Sequence, residues 1–174
     1  MQRLVTLLAM TLATVLMLAP YPVAARETTH VTGGGTGTFG ADLDGDGEID
    51  GSQFGMGVVI SGSTASGHFE CLMAGRSDIL GLPLMAVEGK VDNAIVNADG
   101  SVSFSGTASV NLANGDILRD VPFEVTITAG GPGAGTLQLT VIGVFDGVPG
   151  DTISGNGNYD LPLETVTSGQ IKIH

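Results

Sequence analysis

The stretch Pro122-Phe123-Glu124-Val125-Thr126-Ile127-Thr128-Ala129-Gly130-Gly131-Pro132-Gly133-Ala134-Gly135-Thr136-Leu137-Gln138-Leu139-Thr140-Val141 sets the pattern for the whole chain. Phe123, Val125 and Ile127 alternate with Glu124, Thr126 and Thr128. After the glycine-proline corner, Leu137, Leu139 and Val141 alternate with Gln138 and Thr140. Successive side chains of a strand point to opposite faces, so each run reads as a strand with one apolar and one wet side. Between them, glycine supplies positive φ and proline presets φ, which is the chemistry of a tight antiparallel connection.

The same pattern extends in both directions. Val102 and Phe104 oppose Ser101, Ser103 and Ser105, and Phe69 and Cys71 oppose Ser66, His68 and Glu70. Phe54, Met56, Val58 and Ile60 make another apolar face, and Ile171 and Ile173 alternate with Gln170, Lys172 and His174. Corners fall between these runs at Gly62-Ser63-Thr64, Asn97-Ala98-Asp99-Gly100 and Asn114-Gly115-Asp116. The 28 glycines argue against helices, since each costs about 1 kcal/mol relative to alanine in a helix interior. We therefore expect an all-β domain, an antiparallel hairpin meander of about eight or nine strands. A barrel is favoured over a sandwich because closure removes exposed edges; the last strand near Ile171 would pair with the first near Phe39. Residues Arg76 to Pro83 read as a short helical turn or loop, Val144 to Asp160 as a long loop, and Gly33-Gly34-Gly35-Thr36-Gly37 as an irregular edge strand.

The chain opens Met1-Gln2-Arg3 and runs apolar from Leu4 to Ala19, with small residues at Val23-Ala24-Ala25. These are the parts of a secretory signal peptide, expected over residues 1–25, with a single domain over 26–174. The apolar run is shorter than the roughly 20 residues of a spanning helix, so no membrane span is expected after cleavage. The expected location is secreted, extracellular or periplasmic. Loss of Arg3 takes the formal charge from −12 to about −13, which repels phosphate backbones and disfavours nucleic-acid binding. Cys71 is the only cysteine, so no disulfide can form within the chain, and it either packs as a buried thiol or pairs between chains. Tryptophan is absent, which excludes a carbohydrate platform of stacked indoles.

One segment carries recognisable metal chemistry. In Asp42-Leu43-Asp44-Gly45-Asp46-Gly47-Glu48-Ile49-Asp50-Gly51-Ser52-Gln53, carboxylates occupy positions 1, 3, 5 and 9, and a glycine occupies position 6. The segment resembles the EF-hand loop, including the calcium loops of dockerins. Calcium takes six to eight oxygens, and alternate carboxylates on a tight loop supply them. By that resemblance the ligands of Ca2+ are Asp42, Asp44, Asp46, the backbone carbonyl of Glu48, and Asp50 directly or through water. Gln53 stands where a bidentate glutamate is expected, and the flanks read as strands, so binding is expected to be weak, roughly 10⁻⁴ to 10⁻³ M. A second acidic stretch, Asp146, Asp151, Asn156, Asn158 and Asp160, matches no motif and reads as a solvated loop.

No catalytic constellation is visible. His30 and His174 lie near the chain ends, His68 faces outward by alternation, and alternation sends His68 and Cys71 to opposite faces. The chain has no H-E-x-x-H, G-x-S-x-G or P-loop pattern. Five short pieces in order, Gly37-Thr-Phe-Gly40, Ala65-Ser-Gly-His-Phe69, Val102-Ser-Phe-Ser-Gly-Thr-Ala108, Pro122-Phe-Glu-Val-Thr-Ile-Thr128 and Ser168-Gly-Gln-Ile-Lys-Ile-His174, resemble the bacterial secreted domains of the post-choice-of-anchor (post-COAP) type. The resemblance implies an extracellular all-β domain of undefined activity and supplies no catalytic residues. The expected function is a non-catalytic extracellular or cell-surface β domain with a structural or adhesive role and a surface protein or polysaccharide as partner. Two alternatives stay open: a carrier with an apolar cavity lined by Phe104, Phe123, Leu139 and Ile171, and a secreted hydrolase using carboxylates.

Overall fold

The computed structural model describes residues 27–42, 47, 50–74, 84–112, 115–148 and 150–174. The expected signal peptide, the stretch from 76 to 83, and Asp44, Asp46 and Glu48 lie outside the described residues. The described residues form nine antiparallel strands: β1 (Thr28–Thr38), β2 (Gly51–Ser61), β3 (Thr64–Ala74), β4 (Leu84–Val96), β5 (Val102–Leu112), β6 (Ile117–Thr128), β7 (Thr136–Ile142), β8 (Asn158–Asp160) and β9 (Glu164–Ile173). Each of β1 to β7 pairs with the next, and β9 returns to pair with β1 along Val31↔Ile173 to Thr38↔Thr165. Two rungs, Thr136↔Thr165 and Leu137↔Glu164, join β7 to β9 and close the ring of hydrogen bonds. The strands are not spread evenly round one axis. β8 stands on the same edge of β7 further along, at Thr140 to Ile142.

The registers follow from the alternation. Phe123↔Val141, Val125↔Leu139 and Ile127↔Leu137 pair apolar with apolar, and all six side chains are buried. A one-residue slip would turn this set to solvent, so the pattern fixes the register. The inward faces meet in one core that includes Val31, Phe54, Met56, Phe69, Phe104 and Ile171. At its centre Phe69 packs edge-on to Phe104 and nearly parallel to Phe123, each with ring centroids 5.7 Å apart. Aromatic pairs in such arrangements contribute about 0.5–1.5 kcal/mol beyond the area they bury.

Bulges interrupt the ladders between Val91 and Asn93, Ala108 and Val110, and Thr36 and Gly37. A bulge adds twist and bends its strand, which helps a sheet curl onto itself. Opposite the Ala108/Val110 irregularity, Asp120 takes a left-handed φ of 56°.

The glycine stretch Gly33–Gly37 is not an edge strand. It runs through the middle of β1 and is paired on both sides, to β2 and to β9. The reason is close backbone approach: a β-carbon at Gly35 would lie 2.0 Å from the Ser168 carbonyl oxygen. The last part of the Val144–Asp160 stretch also gains structure, as β8.

Candidate functional site

The loop expected to bind calcium connects β1 to β2. Its first carboxylate, Asp42, accepts a hydrogen bond at 2.9 Å through Oδ2 from the Gly47 amide, so loop position 1 is tied to position 6. At the far end Asp50 is buried, and its carbonyl accepts the Phe39 amide at 2.9 Å, locking the loop base to the end of β1. Asp42 and Asp50 are the two expected ligands that the structure places. Among the described residues, no group of three or more His, Cys, Asp or Glu side chains is arranged to hold a metal ion.

The second acidic stretch is not merely solvated. Asp146 accepts the amides of Gly155 at 2.6 Å and Gly157 at 3.0 Å. Asp151 accepts the amides of Gly147 at 2.8 Å and of Ile153 and Asp160, each at 3.1 Å. Asp160 accepts from Thr140 Oγ1 at 2.8 Å and from Asn156 Nδ2 at 2.6 Å. The carboxylates are thus spent on backbone and side-chain donors and hold the loop against β7. Hydrogen bonds from backbone amides, the Gly147 amide foremost, lower the Asp151 pKa below its ordinary value.

The histidines lie where alternation places them, all exposed. His30 and His174 stack with ring centroids 5.9 Å apart. Cys71 is buried and unbridged, and desolvation pushes its thiol up to about 12, so it is a packed side chain with no thiolate at neutral pH. Burial at this level also removes it from reach of another chain.

Glu70, Glu88 and Glu124 all point outward. Glu70 and Glu88 stand directly opposite one another on β3 and β4. They flank an open depression of about 540 Å³ on the outer wall, with Gly35, Gln53, Gly55 and Leu72 along it.

One inward carboxylate escaped the sequence reading. Glu164, the first residue of β9, is 2% exposed and projects into the interior. Its Oε2 accepts a hydrogen bond from Ser52 Oγ of β2 at 2.8 Å, while its Oε1 is buried with no hydrogen-bond partner. Around it a small void bounded by Phe39, Cys71, Leu137, Leu139 and Leu161 has no room for a water molecule. Desolvation raises its pKa from 4.5 to about 7, and the Ser52 hydrogen bond partly offsets that rise. The signal was present: Glu164 and Val166 alternate with Thr165 and Thr167, which puts the carboxyl on the core face.

The chain matches no family model, no curated protein and no solved structure. The arrangement of its own residues therefore carries the functional reading.

Proposed function

We propose that this is a non-catalytic extracellular β domain of structural or adhesive role, stiffened at the β1–β2 connection by a weakly bound calcium ion. The observation that carries this reading is the filled interior. Phe104, Phe123, Leu139 and Ile171, the residues a carrier would line its cavity with, are at most 2% exposed and belong to one packed core. A binding cavity for a small apolar ligand is a space of about 300–1,000 Å³. The void beside Leu139 does not admit a water.

Hydrolysis by paired carboxylates fits less well. Glu164 has the raised pKa of a general acid, but it is sealed among apolar side chains, whereas Glu70, Glu88 and Glu124 are on the outer wall. For calcium, the hydrogen bond between positions 1 and 6 supports the reading, because it folds the loop back on its first carboxylate. The post-COAP resemblance agrees with an extracellular setting.

Two measurements on the domain test this reading. Calorimetry should give heat with millimolar calcium and lose it in Asp44→Ala. A fluorescent fatty acid should show no saturable binding. Silence toward calcium removes the stiffening ion, and saturable uptake of the apolar probe replaces the structural role with a carrier.

A further inference from the structure

We propose that Glu164 is a pH-sensitive latch on the seam that closes the ring: neutral, it stays sealed in the interior with β9 closed on β7, and ionised, it loosens β9 from β7. The geometry sets this residue apart. Its partner across the seam is Leu137, in one of only two rungs between β7 and β9. By contrast β1 and β2 share an unbroken register from Thr28↔Ser61 to Thr38↔Gly51. Beyond those two rungs the seam is carried by the glycine turn, where Gly133 and Gly135 exchange backbone hydrogen bonds with Val166, and Gly130 with Ile171. The apolar side chains here, Leu137, Val166 and Ile171, turn into the core, so the pairing of β7 with β9 itself rests on those two rungs and the glycine turn.

Among the described residues, the surroundings of the carboxyl offer no counter-charge. β1 presents Gly37, with Phe39 just beyond its end, β7 presents Leu137 and Leu139, and Leu161 and Pro162 lie on the remaining side. β2 presents the neutral Ser52, and Asp50 two residues earlier has its charge bearing on Tyr159. β3 presents the Cys71 thiol, which stays neutral beside it. An ionised Glu164 would therefore be a buried charge with one oxygen unpartnered, which is among the costlier arrangements a fold can hold. Opening the adjacent two-rung seam would bring the carboxyl to water. The carboxyl titrates near 7 when closed and near 4.5 when exposed, so the tendency to open grows from about pH 4.5 and levels off above about 7.

Amide hydrogen exchange on the full chain, corrected for intrinsic rates, reads the latch directly. Between pH 5.5 and 8.0 the opening constant at the Val166 and Gly133 amides should rise roughly 25-fold, while amides of the β2–β3 hairpin such as Phe54 and Phe69 stay flat. Glu164→Gln should abolish the rise. A flat native profile at Val166, or a slope retained in Glu164→Gln, would overturn the latch. Should the variant fail to fold, a ¹³C carboxyl titration of the unsubstituted chain decides. A Glu164 midpoint above about 6 supports the proposal, and one near the ordinary 4.5 overturns it.

Discussion

Gly89 of β4 lies flat beneath the ring of Phe123: a β-carbon at Gly89 would stand 2.5 Å from Phe123 Cε1. Phe123 is fully buried and stacked on Phe69, so the ring has nowhere to retreat. Gly89→Ala should cost about 1–3 kcal/mol in urea unfolding, the usual penalty for overpacking a tight core. Shrinking the ring relieves the clash, so Phe123→Leu should cost less in the Gly89→Ala background than in the native one. A strictly additive double-mutant cycle would show that the two residues do not meet as described.

The unfolding free energy should fall as pH rises from about 4.5 to about 7. The sign follows from linkage: folded Glu164 keeps its proton through this window while the unfolded chain has lost it, so the native state binds more protons and rising pH favours unfolding. The full shift corresponds to about 3 kcal/mol. Asp99 and Asp151, both held below their ordinary pKa by hydrogen bonds, act oppositely: their contribution is lost as pH falls below about 4. Stability should therefore peak in mildly acidic solution. Denaturant melts at intervals from pH 3 to 9 check this, and in Glu164→Gln the decline between 4.5 and 7 should vanish.

Cys71 should be silent to a thiol-specific disulfide reagent at pH 8 while the protein is folded, and should react once per chain in denaturant. It is 2% exposed and its thiol is pushed up to about 12, so both access and thiolate are lacking. Rapid labelling of the native protein would mean that β3 opens far more readily than its pairing on both sides suggests.

Asp151→Ala should release the loop ahead of β8 without unfolding the ring. One carboxylate organises three amides there, including that of Asp160 in β8. The expected outcome is several-fold faster proteolytic cleavage between residues 144 and 157, with the thermal midpoint nearly unchanged, as befits a local opening. A collapse of the midpoint would place the loop inside the cooperative unit.

The sequence made some of this legible and hid the rest for physical reasons. Strands whose inward positions carry Phe, Val, Ile or Leu announced themselves, as β6 and β7 did, because burial of those side chains is what sets the period. Gly33–Gly37 carries almost no side chains to show a period, so a strand paired on both sides read as an edge. Asn158-Tyr159-Asp160 is too short for a period, yet Tyr159 is fully buried. Glu164 was hidden for the opposite reason: a carboxylate on the core face breaks the rule by which faces are told apart. Of the expected calcium ligands, the described residues include only Asp42 and Asp50.

The meeting of His30 and His174 has a mechanical consequence. Their backbones exchange hydrogen bonds of 2.6 and 2.9 Å, so the start of β1 and the end of β9 lie side by side and antiparallel. Tension applied between these two points would load the rungs one after another, as in a zipper, and not all at once, as in shear. A ring closed by this pairing would thus yield to modest tension applied between His30 and His174.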